Sequence, residues 1–346
     1  MKIAVYSAQP YDRRFLNEAL AADPAADRVE LVYFAEALSE QSANLALGCE
    51  AVCVFVNDRL DAPVLEALAE RGVRAILLRC AGFNNLDTAS ASRLGLYVAR
   101  VPAYSPEAVA EHTLALILTL NRNTHRAHLR VRDGNFSLDG LLGSNLHGKT
   151  VGLIGLGKIG MATARIFHGF GCTVLGCDPT VPDGFAGVGR AVGLDELFTA
   201  SDYVSLHCPL TPDTRHLINT GSLKRMKPGA MLVNTSRGGL IDTVAVIHAL
   251  KARTLGALAI DVYEQESELF FQDRSADIIA DDVFQRLMTF PNVLVTGHQG
   301  FFTIEAMREI AQVTLHNLDC FMAGRPSPNM VPGPPQDAGA GCGLTT

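Results

Sequence analysis

The sequence lacks the features that would assign it to several large classes of protein. Its 36 acidic and 29 basic residues give a net charge of −7, and it contains no run rich in lysine and arginine, so the electrostatic footprint of a nucleic-acid-binding protein is missing. The most apolar helical stretch, residues 108–120, is interrupted by Glu111 and His112 and is too short to cross a bilayer. We therefore expect a small-molecule partner, with neither a nucleic acid nor a membrane.

Signals for export and for metal binding are also missing. A strand-like run, residues 3–6, begins at once, without the charged start, apolar stretch and cleavage site of a signal peptide. We therefore expect a cytoplasmic protein. The eight cysteines have neither C-x-x-C spacing nor a Cys/His cluster with metal-ligand spacing. They are interpreted as reduced residues, mostly of the core, and no metal site is predicted.

The chain is long and apolar enough to form two globular domains, with 346 residues of which 48% are hydrophobic and 19% charged. Strand-like and helix-like segments alternate along it, which predicts an α/β fold with parallel sheets. The predicted strands are residues 3–6, 29–34, 51–56, 74–78, 96–101, 151–154, 173–177, 203–207, 231–234, 257–261 and 293–296.

The central pattern is a strand that runs into a glycine-rich turn. Apolar residues 151–154 precede glycines at 155, 157 and 160, which is the G-x-G-x-x-G spacing of a dinucleotide-binding turn. Gly155 would permit a sharp turn, Gly157 would let the backbone approach a pyrophosphate, and Gly160 would let the next helix press on the strand. The free amides at the start of that helix would favour an anion.

Asp178 follows the next predicted strand and indicates which dinucleotide binds. Its carboxylate would accept hydrogen bonds from the adenosine ribose hydroxyls, whereas a 2′-phosphate about 4 Å away would be repelled by roughly 4 kcal/mol. Residues 179–182 supply no arginine or lysine to offset this repulsion. The predicted cofactor is therefore NAD and not NADP.

Three polar residues follow the ends of successive predicted strands. Arg237, Glu266 and His298 come after residues 231–234, 257–261 and 293–296, respectively, and the carboxyl ends of parallel strands meet at one edge of a sheet. A guanidinium fits a substrate carboxylate, and an imidazole can protonate a developing alkoxide. A carboxylate can orient that imidazole and stabilise its charged form. The set predicts hydride transfer between a nicotinamide and a 2-oxo acid.

Longer segments carry a family resemblance. The most distinctive are residues 79–85, 101–111, 206–212, 233–238, 261–266 and 269–273. Through them residues 1–331 resemble the D-isomer-specific 2-hydroxyacid dehydrogenases, and within these the fermentative D-lactate dehydrogenases of bacteria. The resemblance implies reversible hydride transfer from NADH to C2 of pyruvate, giving D-lactate, in a homodimer or homotetramer. The alternatives are a reductase of glyoxylate, hydroxypyruvate or phenylpyruvate, and a non-enzymatic NAD(H)-sensing scaffold like a corepressor.

The resemblance also implies a role for individual residues. The catalytic residues would be Arg237, Glu266 and His298, with His298 as the acid/base. The substrate-binding residues would be Cys80, Ala81, Gly82, Tyr104 and Phe301. The cofactor-binding residues would be Gly155, Gly157, Lys158, Ile159, Gly160, Asp178, His207, Cys208, Pro209, Thr214, Thr235, Ser236, Arg237, Asp261 and His298.

The two alternating segments predict two Rossmann-like or flavodoxin-like domains, one of them discontinuous in sequence. Residues 1–101 and 300–331 would form the substrate domain, residues 102–299 the NAD-binding domain, and residues 332–346 a disordered tail. Hinge motion near Val101 and Gly300 would close the cleft and exclude water. A final helix, residues 304–322, is expected to return to the first domain.

Two further expectations concern the helix that links the domains and the neighbourhood of His298. A helix launched by Ser105 and Pro106 and running through Asn121 is apolar around much of its circumference. It would be either wholly buried or, as we favour, part of a subunit contact. The insertion containing Phe270 and Phe271 resembles the D-lactate branch. Gly300 stands where the family more often has alanine, which is expected to loosen the backbone beside His298.

Overall fold

The computed structural model describes residues 1–23 and 26–333 of the chain. The protein divides into two compact units: unit 1 comprises Met1–Ser105 and the chain from Thr303 onward, and unit 2 comprises Pro106–Phe302. Each unit is built on a sheet of parallel strands, which confirms the predicted α/β class with one discontinuous unit. Of the predicted tail, residues 334–346 lie outside the described part of the chain.

Strands and helices alternate throughout the described residues. The strands are β1 (Lys2–Val5), β2 (Glu30–Tyr33), β3 (Ala51–Val54), β4 (Ala75–Leu78), β5 (Tyr97–Arg100), β6 (Thr150–Ile154), β7 (Thr173–Cys177), β8 (Arg190–Ala191), β9 (Tyr203–Leu206), β10 (Ala230–Asn234), β11 (Leu255–Ile260) and β12 (Val293–Val295). The α-helices are α1 (Pro10–Ala21), α2 (Ala62–Glu70), α3 (Thr88–Arg93), α4 (Pro106–Asn121), α5 (Thr124–Arg132), α6 (Lys158–Gly169), α7 (Leu194–Ala200), α8 (Thr220–Arg225), α9 (Thr243–Lys251), α10 (Asp282–Met288) and α11 (Ile304–Met322). All eleven predicted strands are present, and the two-residue strand β8 was not predicted.

The sheet of unit 1 has the strand order β2-β1-β3-β4-β5, with every neighbouring pair parallel. β3 and β4 are buried at every position, which explains why their sequences are continuous apolar runs. α11 packs against α1, β4 and β5. Beyond α11 the chain runs along β5, where the amide of Arg100 donates to the carbonyl of Asn329 at 3.0 Å and that of Val331 donates to the carbonyl of Val98 at 3.0 Å.

The sheet of unit 2 has the strand order β12-β11-β10-β9-β6-β7-β8, again with every neighbouring pair parallel. β6 lies between β7 and β9, so the order of strands reverses direction on either side of it. In open sheets of this kind, ligands bind beyond the carboxyl ends of the strands at such a reversal. The glycine-rich turn follows β6 directly.

Helices cover both faces of this second sheet. α4 and α6 pack on each other, α4 contacts β10, β11 and β12, and α6 contacts β6 and β7. α7 contacts β6 and β7, α9 contacts β11, and α10 contacts β12.

Seven residues of α4 are buried, while Glu107, Glu111 and Ala115 are exposed. α4 is therefore a core helix with an open stripe, and its part in a subunit contact remains a prediction.

Burial accounts for most of the cysteines, as expected. Of the seven in the described residues, all but Cys177 are buried. No described helix has the length and apolar character needed to cross a membrane.

Candidate active site

The glycine-rich turn packs directly against the loop that follows β9. Gly155 has a φ of +99°, and a Cβ there would lie 2.5 Å from the backbone of His207 and Cys208. A Cβ on Gly160 would lie 2.1 Å from the carbonyl oxygen of Gly155. Neither position has room for a side chain, and these are the sharp turn and the close helix packing that the spacing predicts.

The start of α6 leaves backbone donors available. Gly157 is the N-cap residue and has no side-chain cap, so the first amides of α6 lack partners within the helix. A Cβ on Gly157 would meet no described atom within 4 Å, which means that a ligand can approach the backbone here. Lys158 and Ile159, both predicted cofactor contacts, form the first turn. The residues present thus fit a pyrophosphate.

Asp178 lies at the end of β7, beside this turn. Its Oδ2 accepts a hydrogen bond from the amide of Leu156 at 2.7 Å, and its Oδ1 accepts one from the amide of Thr180 at 2.8 Å. The two amides fix the plane of the carboxylate while leaving further lone pairs for ribose hydroxyls. This arrangement suits the adenosine end of NAD.

The loop after β9 is held in place by hydroxyl groups that donate hydrogen bonds to its carbonyl oxygens. Cys208 accepts a hydrogen bond from Ser236 Oγ at 2.7 Å, and Pro209 accepts one from Thr214 Oγ1 at 2.7 Å. Burial lowers the pKa of His207 to about 4 and raises the pKa of Cys208 to about 11. Near neutral pH the imidazole is uncharged and the thiol is protonated, so Cys208 is not a nucleophile.

Asn234 shapes the turn that presents Arg237. This buried side chain accepts from the amide of Ser236 at 3.0 Å through Oδ1 and donates to the carbonyl of Arg237 at 2.9 Å through Nδ2. Arg237 donates to the carbonyl of Ser236 at 2.7 Å. Thr235, in the same turn, lies 2.9 Å from Thr113 of α4, measured between the two Oγ1 atoms.

Gly238 brings the Arg237 turn against the segment that carries Glu266. A Cβ at Gly238 would lie 2.1 Å from the carbonyl carbon of Tyr263 and 2.3 Å from the amide of Glu264. Only glycine allows the two backbones to approach so closely. The ends of β10 and β11 are therefore packed together, and Arg237 and Glu266 lie on adjoining turns.

His298 and Glu266 form a direct pair. The Nδ1 atom of His298 lies 2.8 Å from Oε1 of Glu266, and the other oxygen of Glu266 accepts from the amide of Tyr263 at 2.9 Å. The two side chains are 15% and 19% exposed. Because a carboxylate only accepts, the proton of the imidazole lies on Nδ1, which leaves Nε2 for a substrate.

Asp261 fixes the backbone of the loop that carries His298. Its main-chain oxygen accepts from the amide of His298 at 2.7 Å, and its carboxylate accepts from the amides of Gln299 at 2.9 Å and Gly300 at 2.7 Å. Burial raises the pKa of Asp261, but hydrogen bonds from His112, Thr296 and Gln299 outweigh it and hold the pKa below its usual value. The carboxylate is therefore ionised near neutral pH.

Two aromatic rings flank the imidazole of His298. The ring centroids of Phe271 and Phe301 lie 5.5 Å and 6.4 Å from that of His298. Phe271 has a φ of +64° and belongs to the insertion. A cluster of Tyr263, Phe270 and Phe284 packs beside it. Phe271 thus joins the predicted Phe301 as an apolar neighbour of His298.

The other predicted substrate residues belong to unit 1. Cys80 is buried, and its carbonyl accepts from the amide of Val101 at 3.3 Å, while the carbonyl of Ala81 accepts from Arg100 at 2.5 Å. The Sγ of Cys80 donates to the carbonyl of Gly82 at 3.2 Å. These bonds give the loop after β4 a defined shape. Tyr104, near the end of this part of unit 1, is half-buried.

Buried Arg79 directly precedes this loop and is held by hydrogen bonds to Asp12 and Ser7. It donates to Asp12 Oδ1 at 3.2 Å and to the carbonyl of Ser7 at 2.9 Å. Ser7 in turn donates to Oδ1 of the buried Asp58 at 2.7 Å. This buried charge network ties the carboxyl ends of β1, β3 and β4 together.

Residues 114–300 match the family described as "D-isomer specific 2-hydroxyacid dehydrogenase, NAD binding domain". The chain is 58% identical to 2-hydroxyacid dehydrogenase A of Aspergillus oryzae, over 95% of this chain and 94% of that protein. It is 52% identical to the D-lactate dehydrogenase of Escherichia coli, over 95% and 99% of the two chains. The apo structure of D-lactate dehydrogenase from Escherichia coli superposes with a TM-score of 0.87, covering 96% of this chain and all of that one at 49% identity.

The chain therefore belongs to the D-isomer specific 2-hydroxyacid dehydrogenases. It is an NAD-dependent oxidoreductase, which confirms the enzyme class and the cofactor predicted from the glycine motif and Asp178. A related structure, the NAD-complexed form of the enzyme from Lactobacillus delbrueckii ssp. bulgaricus, superposes at a TM-score of 0.78 and 30% identity, covering 96% of this chain and all of that one.

The sequence assigned no role at the site to four supporting residues: Asn234, Phe271, Thr296 and His112. Of these, His112 gave a usable signal, as a titratable residue interrupting an otherwise apolar helix. Such a residue either lies on the exposed face or has a buried partner. Asn234 and Thr296 act through contacts that depend on the relative positions of strand ends, which residue spacing does not specify. Phe271 acts through a contact between its ring and that of His298, which residue spacing does not specify either.

Proposed function

We propose that this protein is a D-lactate dehydrogenase that reduces pyruvate with NADH. The match to the relatives named D-lactate dehydrogenase covers nearly the whole length of those proteins and of this chain. The single observation that carries the proposal is the 2.8 Å contact between His298 Nδ1 and Glu266 Oε1. An oriented imidazole beyond the carboxyl end of an NAD-binding sheet supports the proposal, because reduction of a carbonyl requires a proton donor.

His298 acts as the acid in this proposal. NADH, when bound, supplies the hydride that adds to C2 of the 2-oxo acid. As the C2–O double bond opens, its electron pair moves to oxygen, which takes a proton from Nε2 of the imidazolium. The neutral imidazole then regains a proton from solvent. Glu266 holds the ring through Nδ1 and stabilises the positive charge before transfer.

Arg237 binds the carboxylate of the substrate. A guanidinium stays charged at any working pH, and its planar fork matches a carboxylate. The turn around it is fixed by Asn234 and by the close approach at Gly238. The cation is therefore held in place before substrate arrives, which lowers the entropic cost of positioning.

Phe271 and Phe301 support pyruvate over larger or charged substrates. Both rings lie beside His298, and an apolar wall favours a methyl group next to the reacting carbon. Pocket shape alone gives modest selectivity, since one methylene is worth about 1–3 kcal/mol. We therefore expect measurable but lower activity with slightly longer 2-oxo acids.

The test is NADH oxidation with pyruvate, followed by chiral analysis of the product. A panel of glyoxylate, hydroxypyruvate and phenylpyruvate measured under the same conditions supplies the comparison. We expect pyruvate to give the highest kcat/KM and the product to be D-lactate. A higher kcat/KM with any other member of the panel would assign a different substrate, and L-lactate would overturn the stereochemical assignment.

We also propose that the protein is a homodimer or homotetramer. Phe136, Leu138 and Leu142, which follow α5, are 73%, 82% and 95% exposed in the single chain. Large apolar side chains exposed together usually mark a contact surface. Light scattering of the purified protein gives its mass, and Leu138→Asp with Leu142→Asp should shift it toward the monomer. A monomeric wild-type protein would refute this part of the proposal.

We propose that unit 2 is the NAD-binding domain, which the family match over residues 114–300 supports, and that unit 1 is the substrate domain, in which residues 80–82 bind the substrate. The described cysteines are free thiols, as is usual in a reducing compartment. This supports a cytoplasmic location, which fractionation of cells expressing the protein tests.

A further inference from the structure

His112 contacts the carboxylate that fixes the catalytic loop. This residue lies on α4, and its Nε2 is 3.3 Å from Asp261 Oδ1 and 3.1 Å from Thr296 Oγ1. Its side chain is 16% exposed, and that of Asp261 is 2% exposed. The contact is therefore largely shielded from water, where an electrostatic interaction is stronger than at the surface.

The hydrogen-bond partners of His112 show that its Nε2 atom carries a proton. Asp261 only accepts, and Thr296 Oγ1 uses its single hydrogen to donate to Asp261 Oδ1. Both groups facing Nε2 are therefore acceptors toward it. The Nε2–H of His112 must be a donor, and His112 and Thr296 together orient one oxygen of the carboxylate.

The same carboxylate contacts two segments of unit 2, one soon after the chain enters this unit and one just before the chain leaves it. The chain enters unit 2 at Pro106 and leaves it at Phe302. His112 lies in the second turn after the entry, whereas Gln299 and Gly300, whose amides donate to Asp261, come just before the exit. Asp261 therefore connects the two segments within unit 2.

We propose that His112 is a positioning residue for the reaction: by holding Asp261, it fixes the backbone of residues 298–300 and thereby the imidazole of His298. This inference rests on the proposed role of His298. His112 does not touch the reacting atoms in this account. Its effect reaches them through one carboxylate and the amides that this carboxylate binds.

Gly300 packs closely against both Asp261 and His112. A Cβ there would lie 3.0 Å from Asp261 Oδ2 and 3.3 Å from Cδ2 of His112. The glycine lets the loop approach both residues closely. Its amide donates to Asp261 Oδ2, which anchors the backbone beside His298; the looser backbone expected of glycine relative to alanine stays a prediction.

The experiment compares His112→Leu with His112→Gln, since glutamine keeps an N–H donor near the position of Nε2 and leucine does not. Losing the donor should lower kcat for pyruvate by about 10–100-fold, because a displacement of about 1 Å at a reacting group costs on the order of 100-fold. Glutamine should restore most of this loss. His168→Leu is the matched control, because His168 is an exposed residue near the end of α6.

Variants of Thr296 test independently whether the effect on activity passes through Asp261. Thr296→Val removes the second donor, whereas Thr296→Ser keeps it. If both residues act through Asp261, the double variant His112→Leu/Thr296→Val should lose less activity than the product of the two single losses. Losses that simply multiply would overturn a shared route through Asp261.

Hydrogen–deuterium exchange supplies a measurement that does not depend on turnover. The amides of residues 298–300 should exchange faster in His112→Leu than in wild type and His112→Gln. Unchanged exchange together with unchanged kcat in His112→Leu would overturn the inference while leaving the proposed function intact. If wild type fails to oxidise NADH with pyruvate, the proposed function fails, and the exchange comparison alone decides whether His112 holds the loop.

Discussion

The Nδ1 atom of His298 lies 2.8 Å from Oε1 of Glu266, although 32 positions separate the two residues in sequence. β11 and β12 are parallel neighbours, paired from Leu258 with Val293 to Ile260 with Val295. Their carboxyl ends therefore lie side by side, and a residue beyond one end can bind a residue beyond the other. The topology of the sheet, rather than local sequence, produces the pair.

The role of Arg237 predicts a large cost for a conservative change. Arg237→Lys keeps the charge but loses the planar fork, so kcat/KM for pyruvate should fall by about 10–100-fold, as expected for losing a charge-assisted hydrogen bond. The dissociation constant of NADH, measured by fluorescence titration, should change by a smaller factor than kcat/KM for pyruvate. Arg165→Lys, at an exposed position on α6, is the control. Equal kinetics in the two variants would show that the fork of Arg237 is not used.

The carboxylate of Asp178 predicts the cofactor preference. Asp178→Asn removes the charge and keeps an oxygen for the amide of Leu156. The ratio of kcat/KM for NADH to that for NADPH should fall by about tenfold or more, since repulsion of the 2′-phosphate disappears and bonds to the ribose weaken. Asp183→Asn, exposed in the segment after Asp178, should leave the ratio unchanged. A ratio unaffected by Asp178→Asn would mean that another residue excludes NADPH.

His207 predicts a pH dependence of stability. Its pKa is lowered by burial from 6.5 to about 4, so well above pH 6.5 neither state binds a proton there. As the pH falls from 6.5 toward 4, the unfolded chain gains a proton that the folded protein cannot bind, and the free energy of unfolding decreases by up to about 3 kcal/mol.

Urea denaturation of wild type and His207→Asn at several pH values between 7 and 4.5 measures this contribution. The asparagine variant should lose less stability over that interval. Parallel curves for the two proteins would show that His207 has the same proton affinity in both states.

The buried Arg79 network predicts a strong effect on stability. The side chains of Arg79 and Asp12 are 1% and 6% exposed, so Arg79→Met would leave a buried carboxylate without its partner, at a cost of about 3–5 kcal/mol. Arg93 pairs with Glu66 at side-chain exposures of 61% and 51%. Arg93→Met should therefore cost less than about 1 kcal/mol. Similar losses in the two variants, measured by denaturant unfolding, would contradict this assignment.

Much of the fold could be predicted because buried parallel strands leave a local signature. Continuous apolar runs such as that of β4 are bounded by turn residues, and helix starts carry signals such as Ser105 and Pro106 at the start of α4. β8 was missed because it has only two residues, both exposed. Such a strand has no hydrophobic pattern to detect.

The site could be predicted in part for a different reason. Arg237, Glu266 and His298 were found because each follows the end of a strand, a position that sequence reveals once the strands are placed. Asn234 and Thr296 were missed because their functions lie in hydrogen bonds to other strand ends. Gly238 and Gly300 show the same limit, since the clash that excludes a Cβ arises from neighbours that approach only in the folded protein.

The most direct test of the account is the kcat of His298→Asn for pyruvate reduction at saturating NADH. Asparagine is chosen because residue 298 has a φ of +54°, a conformation that asparagine tolerates better than most residues. If His298 donates the proton, kcat should fall by about 10²–10⁴-fold, and saturating NADH keeps any change in cofactor affinity out of this measurement. A kcat close to that of wild type would contradict the assignment of His298 as the acid.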